Sequence, residues 1–350
     1  MKVDIVNGML FGSESKGEIL ANLARDRSYT STIKVGSIQS GHCVFHNGRK
    51  YTMQIVPSAW IDPNIKLYLA PGSFYTKEKL IEEINMIEND GYSIKDRIFF
   101  DYRSTFVEKR DHNKESDIVN SIGSTGEGAG ESLVRKLMRR GDISRAEDET
   151  KWFKENGLQV VDMIEELSGP NGLWDDSEEI LVEGVQGTLL AVHTSPYYPF
   201  CTSRETTAVG NLSDTGLPAT SVRDIIGVLR TFPIRVGGNS GPTGGKELSW
   251  EDIAASVGEY VTPEKTTVTK RVRRIFEFSD KDFLHSCKVN GPTYLAVTFL
   301  DYLGKENYGV DSYSDLNDRA KNFLSHIEEI SGVKVLYART GPEQEHIIRF

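Results

Sequence analysis

The stretch that decides the fold is Gly8-Met9-Leu10-Phe11-Gly12-Ser13-Glu14-Ser15-Lys16-Gly17. It follows an apolar run at residues 3–6 that predicts a buried strand, and it precedes residues 18–24, which have helical spacing. A strand, a glycine-rich loop and a helix can hold phosphate, because glycines let several N–H groups face one oxygen cluster. Lys16 lies four residues after the second glycine, and Gly17 stands where the common P-loop has a magnesium-binding Ser or Thr. An ordinary strand-to-helix turn is the alternative reading.

The composition predicts a globular protein. The chain has 350 residues, 38% hydrophobic and 9% aromatic, which predicts either two or three subdomains or one large α/β domain with insertions; we expect the latter, a single domain at residues 1–350. The net charge of -10 argues against a nucleic-acid partner, and the lack of an 18-residue apolar run argues against a membrane span. Cys43, Cys201 and Cys287 are too few for a disulfide framework. Since no signal peptide precedes the first predicted strand, we expect a cytoplasmic protein.

Strand and helix patterns alternate along the chain. Strands are predicted at 30–35, 43–46, 51–56, 66–70, 97–101, 179–182, 222–236, 274–278, 293–299 and 334–338. Helices are predicted at 76–89, 133–140, 149–167, 250–257, 279–289 and 314–330. Asn47-Gly48 marks a hairpin turn, and Ser249 with Asp252 forms a capping pattern. The expected fold is α/β, with a mostly parallel central sheet covered by helices on both faces and extra hairpins and loops.

Polar or basic segments, most of them rich in glycine, follow several predicted strands. They are residues 8–17, 36–42, 123–140 and 266–274. Loops at the carboxyl ends of parallel strands converge, so Lys16, Arg139, Arg271 and Arg273 are expected to form a positive pocket in an acidic protein. Such a pocket suits a triphosphate, a monophosphate and a carboxylate. For the last segment, a solvated basic face is the alternative.

In order along nearly the whole chain, these segments resemble motifs of the adenylosuccinate synthetase family. Residues 8–18 resemble its G-x-x-x-G-D-E-G-K-G-K, and Ser40-Gly41-His42-Cys43 its A-G-H-T. Further matches are 56–59 to I-P-S-G, 122–130 to I-G-T-T-G-R-G-x-G, 183–190 to E-G-A-Q-G-T-L-L, 235–237 to R-V-G, 266–274 to the arginine-rich aspartate loop and 339–342 to S-T-G-P. The resemblance implies a P-loop-like nucleotide ligase fold and a carbon–nitrogen ligase.

Departures from the family motifs narrow the expected substrate. Ser13 stands where the family has its catalytic Asp, and Ser15 stands where it has a Gly. Phe299 takes the place of the Lys in T-K-L-D, and Glu127 takes the place of the Arg in T-G-R-G. This set resembles the phage-type branch, which makes N6-succino-2-amino-2'-deoxyadenylate for 2-aminoadenine genomes from dGMP, L-aspartate and ATP through a 6-phosphoryl intermediate. A serine, smaller and uncharged, suits the 2-amino group of guanine. The alternatives are ordinary adenylosuccinate synthetase, using IMP and GTP, and an inactive relative.

The resemblance implies a role for individual residues. Ser13 and His42 would be catalytic, with His42 the general acid, although a packing histidine is the plainer reading. ATP would contact Gly12, Ser13, Glu14, Ser15, Lys16, Gly17, Glu18, Gly41, His42, Cys43, Asp301, Gly341 and Pro342. The nucleotide dGMP would contact Ser13, Gln39, Thr125, Gly126, Arg139, Gln186, Thr202, Val236 and Gly237. L-Aspartate would contact Thr266, Thr267, Val268, Thr269, Arg271 and Arg273. Mg²⁺ would lie near Ser13 and Gly41, and Arg139 would reach across a homodimer interface.

Two other classes of function are weighed against the ligase. A zinc site could use His42, Cys43, His46, His285 and Cys287, although their spacing matches no standard finger. A nucleotide-binding switch without ligase chemistry would keep the phosphate loop alone. Retention of the basic aspartate loop favours the ligase, and phosphate release that requires aspartate would exclude the switch.

Overall fold

The structure, a computed structural model, describes residues 1–139, 141–266 and 270–350, with the backbone alone at 116–118 and 120. Its strands are β1 Lys2–Gly8, β2 Ser31–Lys34, β3 His42–His46, β4 Arg49–Met53, β5 Lys66–Leu69, β6 Phe74–Tyr75, β7 Ile98–Asp101, β8 Thr105–Phe106, β9 Gln159–Val161, β10 Glu179–Glu183, β11 Val222–Arg230, β12 Ile234–Arg235, β13 Glu247–Leu248, β14 Arg274–Phe276, β15 Tyr294–Thr298, β16 Lys334–Arg339 and β17 Ile347–Arg349. Its helices are α1 Lys16–Asp26, α2 Lys77–Glu88, α3 Lys109–Ser121, α4 Ala129–Leu137, α5 Thr150–Glu155, α6 Met163–Glu166, α7 Ala208–Ser213, α8 Trp250–Val257, α9 Asp280–Asn290 and α10 Asp318–Ser331.

Ten strands form the central sheet, in the order β17-β16-β15-β11-β1-β10-β2-β5-β7-β9. Every neighbouring pair is parallel except β16 and β17. The predicted fold class is therefore confirmed. The first strand lies near the middle of the sheet, between β10 and β11. This position explains its uninterrupted apolar run, because a central strand is covered on both faces.

Alternate residues of β1 point into different parts of the core. Val3 and Ile5 pack with one buried cluster and Val6 with another, and all three are at most 1% exposed. Helix α1 packs its apolar side into the same cluster as Val6. The loop between β1 and α1 is thus anchored at both ends by buried elements.

Two short-range predictions are confirmed. β3 and β4 form an antiparallel hairpin around Asn47 and Gly48, which both have positive φ, as this tight turn requires. At the start of α8, the Ser249 hydroxyl accepts from the Asp252 N–H at 3.1 Å, while the Asp252 carboxylate accepts from the Ser249 N–H at 2.8 Å. Within the described residues, no helix is both long and apolar enough to cross a membrane.

Other element predictions need correction. The helix predicted at 149–167 is instead α5, β9 and α6; Gly157, at φ +69°, ends the turn after α5, and β9 pairs with β7. The polar residues before the glycine-rich segment at 123–140, for which no helix is predicted, form helix α3, which packs on α4. Helix α4 starts at Ala129, inside the predicted loop, and residue 140 at the end of the predicted helix lies outside the described residues. These three differences come from tertiary packing that local patterns do not carry.

Candidate active site

A cavity of about 1070 Å³ opens at the carboxyl ends of the parallel strands. The connections that lead from β1, β2, β10, β11, β15 and β16 to the next strand of the central sheet all contribute to its wall. Parallel strands place these ends at one edge of the sheet, so residues far apart in sequence meet there. Most of the predicted site residues line it: Gly12, Ser13, Glu14, Ser15, Lys16, Gly17, Glu18, Gln39, Gly41, His42, Cys43, Thr125, Gln186, Thr202, Val236, Thr266, Arg273, Asp301, Gly341 and Pro342.

The loop at residues 8–17 is held in shape from within. The buried Glu14 carboxylate accepts from the N–H groups of Leu10 at 2.7 Å and Gly12 at 3.2 Å. The Lys16 ammonium donates to Glu14 at 3.2 Å and to the carbonyl of Gln186 at 2.5 Å. Both oxygens of Glu14 are therefore engaged inside the protein, and Lys16 is fixed at the base of the cavity.

Gly17 has a structural reason to be a glycine. A Cβ at this position would come within 2.5 Å of the Cys43 carbonyl oxygen at the start of β3. The close approach of that strand excludes the Ser or Thr of the common P-loop. Ser13 lines the cavity, so its hydroxyl is a side-chain oxygen of this loop that remains to act as a metal ligand in place of that Ser or Thr.

His42 is tied to the end of β10 by a buried carboxylate. Its Nδ1 lies 2.5 Å from Glu183 Oε1, which also contacts the Lys34 ammonium at 2.8 Å. Ser58 donates to Glu183 through its N–H at 2.6 Å and its hydroxyl at 2.9 Å. These contacts fix the plane of the ring while Nε2, buried, has no hydrogen-bond partner among the described residues. That nitrogen is the group of His42 left for a ligand.

Burial and charge set the protonation of this pair. Burial, together with the charge of Lys34, lowers the pKa of His42 to about 4, against the opposing effect of Glu183. Burial alone would raise the pKa of Glu183, but Lys34 and the bond from His42 bring it below its usual range. At neutral pH His42 is thus a neutral imidazole, and Glu183 and Lys34 beside it form an ion pair.

The predicted acceptor-nucleotide residues converge from distant segments. Gln39 donates its side-chain amide to the Thr202 hydroxyl at 3.0 Å. Gln186, in a left-handed conformation at φ +59°, donates its N–H to Ser40 at 3.4 Å. Thr125 closes this side of the cavity from the glycine-rich loop. The pairing of Gln39 with Thr202 places both predicted residues in one subsite.

The basic segment is described only in part. Thr266 and Arg273 line the cavity, whereas Arg271 does not. Thr267, Val268 and Thr269 lie outside the described residues. The Arg273 N–H donates to the Glu264 carbonyl at 2.9 Å, and its guanidinium contacts the Lys265 carbonyl at 3.3 Å.

Some predicted residues stand apart from the cavity. Gly126, Gly237 and Arg271 do not line it, and exposed Arg139 borders a shallow recess with Glu108 and other residues of 141–148. The predicted role of Arg139 is to serve a second subunit, and this stays a prediction.

Several residues of the site were missed by sequence reasoning. Lys34 and Glu183 end the largely buried strands β2 and β10, and a charged residue at the end of a buried strand is the signal that marks them. Arg230 ends β11 in the same way and is fully buried. Ser58, in contrast, follows Pro57 in a loop, and its contact with Glu183 has no local signal.

The donor set fits magnesium better than zinc. Among the described residues, no three His, Cys, Asp or Glu side chains form a cluster that could hold a metal. The zinc alternative therefore has no geometric support in the part of the chain that is described. Mg²⁺ binds nucleotide sites through one or two protein oxygens plus phosphates and water, and the predicted ligands Ser13 and Gly41 both line the cavity.

Comparison with known proteins places the chain in a family. The family model for adenylosuccinate synthetase matches residues 5–168 and 143–308. Adenylosuccinate synthetases of Methanocaldococcus jannaschii and Thermococcus sibiricus are 34% and 35% identical, over 98% of this chain and 95% and 97% of their own lengths.

Two solved structures share the fold. One is the cyanophage S-2L succinoaminodeoxyadenylate synthetase (PurZ) bound to dGMP and dATP as an energy donor, with TM-score 0.81, 25% identity and coverage of 99% of this chain and 95% of that one. The other is the fully ligated adenylosuccinate synthetase of Plasmodium falciparum, with TM-score 0.83, 19% identity and full coverage of both chains, 100% each. The matches in sequence and the cavity built from the matching motifs lead to one conclusion: the chain belongs to the adenylosuccinate synthetase family of carbon–nitrogen ligases.

Proposed function

We propose that this chain joins L-aspartate to carbon 6 of dGMP with hydrolysis of ATP, giving N6-succino-2-amino-2'-deoxyadenylate, ADP and phosphate. The observation that carries the proposal is Ser13, which lines the cavity where the family motif has aspartate. An uncharged, short side chain leaves room for the 2-amino group that distinguishes guanine from hypoxanthine. The only neighbouring carboxylate of the loop, Glu14, is turned inward to Leu10, Gly12 and Lys16.

The cyanophage relative supports this substrate. Its structure contains dGMP and dATP, and its 25% identity extends over 99% of this chain. The archaeal relatives, at 34–35% identity, are named adenylosuccinate synthetase, which favours IMP with GTP as the second candidate. Ser13 and Phe299 are the positions that favour the first.

The residues of the cavity account for a two-step reaction. In the first step the guanine 6-oxygen attacks the γ-phosphorus, N1 gives up its proton to a water held beside Ser13, and the bond to ADP breaks. In the second step the aspartate amine attacks carbon 6, the phosphate leaves with the oxygen, and the amine loses a proton. Phosphorylation is needed because a carbonyl oxygen is a poor leaving group.

Each part of the cavity serves one of these steps. Lys16 and the amides of the loop hold the triphosphate, and His42 presents Nε2 to the reacting oxygens. Nδ1 of the neutral His42 ring carries its proton toward Glu183. Nε2 takes up a proton from solvent and, because the pKa of His42 is low, passes it readily to the oxygen that leaves with ADP. Gln39 and Thr202 bind the acceptor base, and Arg273 binds an aspartate carboxylate.

Two further parts of the proposal concern the metal and the assembly. Ser13 and the Gly41 carbonyl would hold Mg²⁺, which supplies neutralisation of phosphate charge during transfer. The exposed position of Arg139, off its own cavity, fits a homodimer in which it contacts the partner's nucleotide.

A substrate matrix tests the proposal. Purified protein is given dGMP, GMP, IMP or dIMP with ATP, dATP or GTP, each with and without L-aspartate and Mg²⁺, and released phosphate is measured. We expect aspartate-dependent turnover with dGMP and ATP. Turnover confined to IMP with GTP would reject the substrate assignment, and phosphate release without aspartate would indicate a nucleotide switch.

A further inference from the structure

Arg230 is a buried cation that bonds to separate parts of the cavity wall. Its side chain is fully buried, and its Nη1 donates to the Ser13 carbonyl in the phosphate loop at 3.0 Å. The same nitrogen lies 3.2 Å from Glu264 Oε2, while Nη2 donates to Glu264 Oε1. A planar guanidinium makes this two-point contact with a carboxylate, which lysine cannot reproduce.

The guanidinium also backs an aromatic platform. Its central carbon lies 3.8 Å from the centroid of the Phe299 ring, and the Phe299 and Tyr302 rings are 5.2 Å apart. Phe299 lines the cavity at the end of β15, held at φ +63° with its carbonyl bonded to the Thr231 hydroxyl. Arg230 covers one face of the ring, and the accessible part of the ring borders the cavity. Such a surface suits a stacked purine base.

Glu264 connects this platform to the basic segment. Its carboxylate accepts from Arg230 and from the Tyr302 hydroxyl at 3.0 Å, and its carbonyl accepts from the Arg273 N–H at 2.9 Å. The carbonyl of Arg273 in turn accepts from the Trp250 indole at 2.9 Å. Glu264 therefore holds Arg230 and Tyr302 through its carboxylate and Arg273 through its carbonyl.

We propose that Arg230 is a positioning residue that couples occupancy of the Phe299 platform by the donor's base to the position of Arg273. This inference rests on the proposed function, because it takes the platform as the donor-base subsite and Arg273 as an aspartate ligand. A base stacked on Phe299 presses the ring against the guanidinium, which holds Glu264 and hence Arg273 in place. Aspartate then meets an Arg273 side chain that is already positioned, and its affinity rises.

The test measures affinity for L-aspartate with and without adenosine, which carries the base and no phosphate. No acceptor nucleotide is present, so there is no turnover, and titration calorimetry gives each dissociation constant. We expect adenosine to tighten aspartate binding about 5-fold or more, the lower end of usual coupling strengths. In Arg230→Lys and in Phe299→Leu the tightening should fall to about 1-fold.

A spectroscopic readout and a matched control accompany the titration. With ¹⁵N-labelled tryptophan, adenosine should shift the Trp250 indole resonance, assigned by its loss in Trp250→Phe, and the shift should vanish in Arg230→Lys. Arg97→Lys is the control, since Arg97 also donates to buried carbonyls, of Asp62 and Ile65, but lies away from the cavity. It should keep both effects.

The inference is overturned if neither adenosine nor guanosine tightens aspartate binding in the native protein, or if the tightening survives in Arg230→Lys or in Phe299→Leu. If Arg230→Lys does not fold, Phe299→Leu gives the same decision. Guanosine is tested in parallel. Coupling to guanosine but not adenosine would reject ATP as donor while upholding Arg230, and the substrate matrix reports on the acceptor independently.

Discussion

The two sides of the cavity are built differently. The catalytic floor, defined as residues 8–17 with Lys34, His42 and Glu183, consists of buried groups whose charges are paired inside the protein. The recognition rim, defined as residues 122–130, 262–266 and 270–273, consists of loops that are largely half-buried or exposed. Its described anchors include backbone bonds such as Arg273 N–H to Glu264. Under the proposed function, phosphoryl transfer would take place against the buried strand ends and the substrates would be recognised by loops.

This division has a physical basis. Transfer of a phosphoryl group depends on groups held in fixed positions, and strand ends in a packed sheet supply such positions. Substrates must enter and leave, so the segments that recognise them need fewer internal contacts. Variants of the charged and titratable groups of the floor should therefore change kcat or stability, whereas variants of the rim, and of Ser13 where the floor faces the substrate, should change KM.

The largest expected effect is in the floor, at His42. His42→Asn should lower kcat by about 10²–10⁴-fold, the usual contribution of a proton-transfer group, with a small change in KM. Steady-state phosphate release with dGMP, ATP and aspartate measures it. His326→Asn, a substitution of a half-exposed histidine paired with Asp280, is the control and should keep kcat. A normal kcat in His42→Asn would mean that the floor does not act through this ring.

The second largest effect is expected at the ion pair of Glu183 and Lys34, which contacts His42. Glu183→Gln leaves the Lys34 ammonium buried and unpaired, which should lower the free energy of unfolding by about 3–5 kcal/mol. Urea denaturation measures the loss, with Glu251→Gln on the exposed side of α8 as control. The double variant with Lys34→Met should regain stability but not kcat, because His42 still lacks its anchor. Recovery of kcat in the double variant would contradict the positioning role.

The third effect lies in the rim. Arg273→Gln removes a charge-assisted bond to the aspartate carboxylate, so the KM for aspartate should rise about 10–100-fold while kcat changes little. Kinetics at varied aspartate measure it, and Arg319→Gln, which loses contacts to Ser256 outside the cavity, is the control. A fall in kcat with unchanged KM would place Arg273 functionally in the floor.

The smallest effect is expected at Ser13, where two variants distinguish the size of the side chain from its charge. Ser13→Asp should raise the KM for dGMP about 10-fold, the scale expected when one group is misfitted in a pocket. Ser13→Asn has nearly the same shape without the charge. An equal loss in both variants would assign the effect to size, and a loss in the aspartate variant alone would assign it to charge. Unchanged dGMP kinetics in both would remove the argument on which the substrate assignment depends.

Sequence reasoning was most successful where a local pattern had one physical reading. The Asn47-Gly48 hairpin and the cap at Ser249 were predicted because each turn demands those residue types. It was least successful at residues 149–167, where an amphipathic pattern concealed edge strand β9. A short strand at the sheet's edge depends on its neighbour β7 for its backbone bonds, and that neighbour is distant in sequence.

The site shows the same division between local and distant information. Most of the predicted site residues line one cavity, and the glycine-rich and basic segments that contain many of them showed a local signal in the sequence. Arg230, Glu264 and Ser58 did not, because a buried charge or a loop hydroxyl gains its role only from the group that it meets.

The amino-acid sequence by itself determined the phosphate loop, the alternation of strands and helices, and the order of the motifs, since these depend on residues close together in the chain. The tertiary structure decided which strands are neighbours, and hence that Lys34 and His42 meet Glu183 and that Arg230 lies between Ser13, Phe299 and Glu264. The physical reason is that strand order and the pairing of buried charges are settled by packing between distant segments, where a charge is stable only beside its partner.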